Sequence, residues 1–244
     1  MSPIARPCFV AEPSRFDSSP QANPLQEPTT APNQGGILIR TGSVDDPIRL
    51  AVFISGSGSG MEALLQHQSS GTCLHQTVLV VSNQPGAAGL SKAHAHGITT
   101  ASIEIDKSIL TPTERRVEHE TRVMAVLAEH EVEAVILSGY MRIMSPFFVQ
   151  EWAGKLLNIH PSLLPKYPGA HAHRDALADG ATVTGCTVHL VDEGMDTGPI
   201  LAQRELPVLP DDDEQSLAER VKKLEHQLYP EVIDAFAAGE IKHD

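Results

Sequence analysis

The chain has 244 residues and a mass of 26.2 kDa, which fits one domain with appended segments or two very small domains. Its net charge of −13, with histidine neutral, argues against a protein that wraps nucleic acid or lies on an anionic membrane. No apolar run approaches the roughly 20 residues that cross a bilayer. The three cysteines are widely spaced and odd in number, which favours a reducing cytoplasm. We therefore expect a cytoplasmic protein with small-molecule substrates, no nucleic acid partner and no membrane partner.

Residues 1–47 are predicted to form a disordered tail rich in proline and serine. Seven of the 18 prolines occur by Pro32, and the residues between them carry too little apolar surface to offset the entropy of ordering. The segment lacks the continuous apolar stretch of a secretory signal, and Glu12, Asp17 and Glu27 argue against a transit peptide. The folded domain is accordingly predicted over residues 48–244.

From Ile48 onward, strand and helix patterns alternate, which predicts an α/β fold with βαβ units and a parallel sheet. The runs Leu50–Ile54, Val78–Val81 and Ala134–Leu137 are apolar at every position, as expected of strands covered on both faces. After residue 159 the pattern changes to two longer strands, which predicts an antiparallel C-terminal portion. The predicted elements in chain order are strand 48–55, helix 61–67, strand 77–82, helix 88–96, strand 100–105, helix 113–130, strands 134–137, 156–159, 183–191 and 200–208, and helix 214–238.

The first strand ends in a glycine-rich run, Ser55–Gly60, that leads into a helix. Backbone N–H groups at a helix N-terminus suit a phosphate. The dinucleotide fingerprint does not fit, because Met61 occupies its third glycine position and no acid follows the second strand. The lysine of the P-loop that binds nucleoside triphosphates is also absent. A monophosphate is therefore the favoured ligand, and a simple tight turn is the alternative.

Asn158 and His160 stand two residues apart at the end of an apolar strand, so both side chains point to one face of the sheet. Ligands of open α/β sheets bind at the carboxyl ends of the strands. An amide N–H donor beside a histidine can stabilise an oxyanion while the histidine acts as general acid or base. The alternative is a capping asparagine and a structural histidine in a proline-rich turn.

A second polar region contains His171, His173 and the run Asp192–Gly198. Two histidines at this spacing suggest zinc, but no third ligand stands at a convincing distance along the chain. No metal is therefore expected there. An aspartate between glycine-containing turns could instead orient a histidine, or it could simply form a turn.

The run Leu157–Gly169, followed by His171–Arg174, closely resembles the signature of the phosphoribosylglycinamide formyltransferase family, and the likeness extends from about Ile48 to Ile241. The resemblance implies a Rossmann-like formyltransferase fold with a mostly parallel central sheet and helices on both faces. It also implies transfer of the formyl group of 10-formyltetrahydrofolate, as co-substrate, to the amine of glycinamide ribonucleotide in de novo purine biosynthesis. The enzyme would require no metal and would be a monomer or homodimer.

The resemblance also assigns roles to individual residues. Gly60 departs from it, because the family usually has asparagine there, which places one side-chain contact to the ribonucleotide in doubt. The catalytic residues would be Asn158, His160 and Asp196, with His171 and His189 in support. The ribonucleotide would be bound by Gly58, Ser59, Gly60 and Glu225. The folate would be bound by Arg116, Met141, Arg142, Ile143, Met144, Asp192, Glu193, Gly194 and Met195.

Three alternatives remain open. Formyltetrahydrofolate hydrolase shares the Asn, His and Asp arrangement but carries a folded regulatory domain in front, which the proline-rich tail is not expected to be. Methionyl-tRNA formyltransferase usually has tryptophan where Tyr167 stands and continues into a basic RNA-binding domain, which fits a net charge of −13 poorly. A catalytically weak or silent folate- or nucleotide-binding regulator is suggested only by Gly60.

Overall fold

The computed structural model describes residues 39–69 and 71–241. Seven strands and six helices are present in this part of the chain. The strands are β1 (Ile48–Ile54), β2 (His75–Ser82), β3 (Thr99–Ser102), β4 (Ala134–Leu137), β5 (Leu156–His160), β6 (Val183–Leu190) and β7 (Ile200–Pro207). The helices are α1 (Ser59–Gln68), α2 (Ala88–Ala95), α3 (Pro112–Glu129), α4 (Pro146–Glu151), α5 (Ala172–Ala178) and α6 (Glu214–Ala237).

The strands form one sheet in the order β3-β2-β1-β4-β5-β6-β7. Strands β1 to β5 run parallel to one another, whereas β6 is antiparallel to β5 and β7 is antiparallel to β6. This arrangement confirms the predicted Rossmann-like fold with a mostly parallel sheet and an antiparallel C-terminal portion. Because the five parallel strands share one direction, the loops after them gather at one edge of the sheet.

The apolar strands are buried on both faces. In β1, Leu50, Val52 and Ile54 belong to one hydrophobic cluster, and the intervening Ala51 and Phe53 belong to a second. Helices α1, α2 and α6 contribute to the first cluster, and α3 and α4 contribute to the second. Alternate side chains of a strand point to opposite faces, so the uninterrupted apolar sequence of β1 supplies two cores at once.

Helices α4 and α5 were not predicted from the sequence. They contain six and seven residues, fewer than two full turns, so an apolar repeat has no room to appear. The signals for α4 are local: the Ser145 side chain accepts a hydrogen bond from the Phe148 N–H at 3.2 Å, and Pro146 occupies the first helical position.

Residues 39–47, which the sequence analysis assigned to the tail, lie against the domain. Ile39 packs on the first hydrophobic cluster, and the Arg40 guanidinium lies 2.6 Å from a carboxylate oxygen of Glu133. The Gly42 N–H donates to the carbonyl oxygen of Ala237 at 2.8 Å. Residues that pack on the domain are therefore found before residue 48, and residues 1–38 of the predicted tail lie outside the described residues. No helix within the described ranges is long and apolar enough to cross a membrane.

Candidate active site

Two cavities lie beside the carboxyl end of the sheet. The first encloses about 480 Å³ and is lined by the glycine-rich loop, residues 138, 139 and 141 after β4, and one side of α6. The second encloses about 290 Å³ and is lined by residues 142–144 and by the loop between β6 and β7. Two adjacent residues of β5 contribute to different cavities: Asn158 lines the second cavity and Ile159 lines the first. We call these the loop cavity and the apolar cavity.

Asn158, His160 and Asp196 are brought together at the end of β5. Asn158 and His160 lie on this strand two residues apart, and Asp196 comes from the loop after β6. An oxygen of the Asp196 carboxylate lies 3.3 Å from His160 Nδ1. The same oxygen accepts a hydrogen bond from the Gly169 N–H at 2.7 Å. His189 Nε2 lies 3.7 Å from the other Asp196 oxygen and 3.2 Å from Asn158 Nδ2, so the three side chains proposed for catalysis belong to one network through His189.

His189 determines how the Asn158 amide is turned. These residues are paired across β5 and β6. His189 Nδ1 donates to the carbonyl oxygen of Leu190 at 2.8 Å, and burial lowers the pKa of His189, so the ring is neutral and its Nε2 is an acceptor. The Asn158 Nδ2 group therefore donates to that Nε2 at 3.2 Å. This leaves the second amide N–H for a ligand in the apolar cavity.

His160 is held by protein atoms on both sides. Its Nε2 donates to the carbonyl oxygen of Tyr167 at 2.8 Å, while its Nδ1 faces Asp196. Both ring nitrogens thus face oxygen atoms of the protein. His160 lines neither cavity, so a direct contact with a reacting atom requires it to exchange one of these two partners.

Asp196 adopts a backbone conformation that few side chains tolerate, with φ of 56°. Aspartate is among the residues that accept this region more readily than most. The conformation turns the carboxylate towards His160 and the apolar cavity, which it lines together with Asn158. Strained residues of this kind cluster at functional sites.

The glycine-rich loop connects β1 to α1 and lines the loop cavity. Gly58 is the N-cap of α1 with φ of 64°, and a Cβ atom there would lie 2.8 Å from the Cα of Gly89. Both facts require glycine. The φ angle is in the left-handed region, and the atom that a side chain would meet belongs to the backbone of Gly89, which cannot rotate away. The N-terminus of α1 is thereby left open to an anion.

Gly60 faces Ser138. A Cβ atom added at Gly60 would lie 2.6 Å from the Ser138 hydroxyl oxygen, and both residues line the loop cavity. The space in which an asparagine side chain would begin is therefore occupied by a hydroxyl group from the end of β4. Where the family usually has asparagine, this chain thus has a glycine whose missing side chain leaves room for the Ser138 hydroxyl.

Helix α6 contributes ionisable side chains to the loop cavity. Lys222, Glu225 and His226 line it and are spaced so that they share one helical face. Burial raises the pKa of Glu225 to about 7, and the nearby Lys222 ammonium opposes that rise. His173 of α5 also lines this cavity, and burial lowers its pKa. Of these four residues, Glu225 was predicted from the sequence, and Lys222, His173 and His226 were not. The i, i+3 spacing between Lys222 and Glu225 was the available signal for Lys222.

The apolar cavity contains most of the predicted folate residues: Arg142, Ile143, Met144, Asp192, Glu193, Gly194 and Met195. Met141 instead lines the loop cavity. Arg116 lines neither of the two, and its Nε atom is buried without a hydrogen-bond partner. His171 is exposed at the N-cap of α5 and also lines neither. Arg116 and His171 are therefore not brought to the site in this structure.

Carboxylate hydrogen bonds hold the two loops that line the apolar cavity. The Asp192 carboxylate accepts hydrogen bonds from the Gly194 N–H at 3.0 Å and the Thr197 hydroxyl at 2.8 Å. The buried Glu120 carboxylate accepts the Ser145 N–H at 2.8 Å and the Ser145 hydroxyl, which fixes the segment after β4. Glu120 was missed because a glutamate within an amphipathic helix gives no sign of its partner in sequence.

Ser55 connects the loops of the two cavities. Its N–H donates to the Gly139 carbonyl at 3.1 Å, and its hydroxyl accepts the Met141 N–H at 2.8 Å while donating to Asn83 Oδ1 at 2.6 Å. The glycine-rich loop and the loop after β4 therefore share one hydrogen-bonded joint.

A mostly parallel sheet that presents a glycine-rich loop, a polar Asn–His–Asp network and two cavities at the carboxyl ends of its strands defines a Rossmann-like α/β protein with its ligand site at those ends. Comparison with known proteins specifies the family. The formyl transferase family model matches residues 48–233, and the chain belongs to this family.

Characterised relatives are of two kinds. The phosphoribosylglycinamide formyltransferase of Escherichia coli is 38% identical over 195 residues, which cover 80% of this chain and 90% of that protein. The human trifunctional purine biosynthetic protein adenosine-3 is 43% identical over 194 residues, which cover 80% of this chain. The chain spans only 14–19% of the length of the trifunctional relatives that it matches.

Solved structures agree with this assignment. A phosphoribosylglycinamide formyltransferase from Brucella melitensis superposes with a TM-score of 0.72 at 43% identity, covering 81% of this chain and all of that one. Glycinamide ribonucleotide transformylase 1 from Symbiobacterium toebii has a TM-score of 0.74 at 37% identity, covering 79% and 89%. The fold is therefore the Rossmann-like formyltransferase fold.

Proposed function

We propose that this chain transfers the formyl group of 10-formyltetrahydrofolate to the amine of glycinamide ribonucleotide, a step of de novo purine biosynthesis. The observation that carries the proposal is the Asn158–His160–Asp196 network, which lies where the loop cavity and the apolar cavity approach each other. The names of the full-length bacterial relative and of the structural neighbours support the same reaction. The cytoplasmic location and the monomeric or homodimeric state are parts of this proposal.

Each cavity is matched to one substrate. The ribonucleotide phosphate occupies the loop cavity, where Gly58, Ser59 and Gly60 offer backbone N–H groups at the N-terminus of α1. Glu225 accepts or donates hydrogen bonds to the ribose hydroxyls. The folate ring occupies the apolar cavity against Ile143 and Met144, with polar contacts from the Asp192–Asp196 segment.

The reaction begins when the ribonucleotide amine attacks the formyl carbon. A C–N bond forms, and the carbonyl electron pair moves onto oxygen. The Asn158 N–H that is not bonded to His189 donates to this oxyanion. His160 supports the same charge, either through the field of its protonated ring or after releasing the Tyr167 carbonyl.

Collapse of the intermediate requires one proton to move. The attacking nitrogen becomes an ammonium and must lose a proton, while the folate nitrogen must gain one as its bond to carbon breaks. Asp196 lines the apolar cavity and faces His160, so its carboxylate can order the water through which the proton passes. Electrons and protons balance within the two substrates, and the enzyme returns to its starting state.

The test is a formyl-transfer assay with both substrates. We expect formylglycinamide ribonucleotide as the product, and we expect Asn158→Ala to lower turnover by roughly 10²–10³ because the oxyanion donor is removed. Gln227→Ala, on the exposed side of α6, is the matched control for handling and folding. Near-normal turnover in a folded Asn158→Ala protein would reject the assignment.

The same assay separates the alternatives. Release of formate without consumption of the amine would identify a hydrolase. Tight ribonucleotide binding without transfer would identify a silent regulator.

A further inference from the structure

A second polar cluster lies at the amino end of the sheet, away from the active site. It consists of His67 at the end of α1, Cys73 in the following loop, His75 at the start of β2 and Asp234 in α6. We call it the α1–β2–α6 cluster. Because β2 extends eight residues from His75 to Ser82, the cluster lies about 20 Å from the catalytic edge.

The donor atoms of the cluster converge. One ligand atom from each of the four residues lies within 4.8 Å of every other. His67 Nε2 and His75 Nε2 lie 2.7 Å and 2.9 Å from the two oxygens of the Asp234 carboxylate. The two imidazole rings stack with an interplanar angle of 13°. Two histidines, a thiol and a carboxylate directed at one volume form a donor set suited to zinc.

We propose that the α1–β2–α6 cluster binds one zinc ion. A tetrahedral site with these ligands has donor atoms about 3.3–3.6 Å apart. The two short His–Asp contacts must therefore lengthen, and the widest separations, up to 4.8 Å, must contract by about 1 Å. His67 and Asp234 can make these movements, because their side chains are 37% and 41% exposed. His75 is the fixed point, since its side chain is fully buried.

The charges of the site balance with a divalent cation. A Cys73 thiolate and the Asp234 carboxylate carry two negative charges, which match Zn²⁺. A cavity of about 370 Å³ gives access to His67, Cys73 and Asp234, and Glu231 and Glu240 also line it.

Gln68 stands behind the buried histidine and must adapt to the metal. Its side-chain amide lies 2.8 Å from His75 Nδ1, and its Oε1 accepts the Thr77 N–H at 3.2 Å. Binding through His75 Nε2 moves the proton to Nδ1, which then needs an acceptor. The amide provides that acceptor only by exchanging its oxygen and nitrogen, so Gln68 limits the affinity of the natural site.

The ion would connect α1, β2 and α6 at the end of the sheet that carries no catalytic residue. We therefore expect zinc to stabilise the folded chain without altering formyl transfer. His171 and His173 are not involved, because they belong to the opposite edge of the sheet.

The experiment titrates zinc alone into chelator-stripped full-length protein, in competition with a chromogenic chelator. We expect one ion per chain. Cys73→Ser and His75→Ala should each weaken binding at least tenfold, whereas His94→Gln, an exposed histidine of α2, should not change it. The proposal would be overturned if the natural protein bound no zinc, or bound it no more tightly than the Cys73→Ser and His75→Ala variants do.

Two further readouts distinguish a built site from scattered surface binding. Cobalt(II) in place of zinc should produce the visible bands of a tetrahedral ion and a near-ultraviolet thiolate band, and Cys73→Ser should abolish the thiolate band. Gln68→Glu should tighten zinc binding about tenfold or more, because a carboxylate accepts the His75 Nδ1 proton without rearrangement. Octahedral cobalt spectra, or looser binding in Gln68→Glu, would contradict the site.

Discussion

The two cavities of the active site are built in different ways. The loop cavity is formed by backbone N–H groups of the glycine-rich loop and by charged side chains on the rigid helix α6. The apolar cavity is formed by loop side chains, among which Ile143 and Met195 are 63% and 56% exposed. The loop cavity thus takes its polar groups from backbone and from one helix, whereas the apolar cavity offers exposed apolar side chains that a ligand would cover. Substitutions should therefore act through backbone geometry in one cavity and through contact area in the other.

Gly58→Ala should have the largest effect. The added methyl group combines a left-handed φ of 64° with a 2.8 Å approach to the Gly89 backbone, so the loop must move. We expect the KM for the ribonucleotide to rise about 10²-fold, as displacements of about 1 Å do, while the KM for the folate changes little. Steady-state kinetics with each substrate varied would measure this. Gly86→Ala, whose methyl group meets nothing within 4 Å, is the control. An equal rise in both KM values would abolish the distinction between the cavities.

Glu225→Gln tests the buried charge in the loop cavity. The folded-state pKa of Glu225 is raised from 4.5 to about 7, so the folded state holds the proton more tightly than the unfolded state. The carboxyl group therefore destabilises the fold progressively as pH rises from 4.5 to 7, and the full cost is present above pH 7. Relative to the Glu225→Gln variant, the free energy of unfolding of the natural protein should fall by about 2 kcal/mol over this pH range. Urea unfolding at pH 5 and pH 8 measures the difference, and a constant difference would exclude a raised pKa.

Gly60→Asn tests the pairing of Gly60 with Ser138. The new side chain would meet the Ser138 hydroxyl at 2.6 Å, so the single substitution should raise the ribonucleotide KM about tenfold, or roughly 1.4 kcal/mol. Ser138→Ala in the same chain should restore most of the affinity, because it removes the obstructing oxygen. The double-mutant cycle checks this coupling. Strictly additive effects would show that the two positions are independent.

Met195→Ala should have the smallest effect on the protein itself. Since the side chain is 56% exposed, its loss should change the free energy of unfolding by no more than about 0.5 kcal/mol. The KM for the folate should rise about fivefold, because roughly 1 kcal/mol of contact is lost when the ligand binds. Thermal unfolding measures the change in stability, and steady-state kinetics with varied folate measures the change in KM. A large loss of stability would mean that the apolar cavity is prebuilt after all.

The centre of the sheet was predictable because β1 and β4 bury both faces. The uninterrupted apolar runs of β1 and β4 predict strands that are covered on both faces, and the glycine-rich loop marks the end of the first strand. Helices α4 and α5 were missed because their formation depends on a serine cap and on packing rather than on an apolar repeat.

The candidate site was predictable where its residues lie on one strand or one motif. Asn158 and His160 share β5, and the contact between His160 and Asp196 was expected from the resemblance. Ser138 and His173 were missed because long-range folding, not spacing along one element, carries them to the loop cavity. The same reason applies to Arg116 of α3 and to His171, because a position in the sequence does not give the direction of its side chain.

The hydrogen bond from the Gly42 N–H to the Ala237 carbonyl has a consequence for rearranged versions of the domain. It brings the backbone of residue 42 within one hydrogen bond of the end of α6, remote from the catalytic edge. A short linker between these points would close the backbone into a ring, and new termini could be opened in an exposed loop elsewhere. The domain is therefore suited to circular permutation and to insertion within another protein.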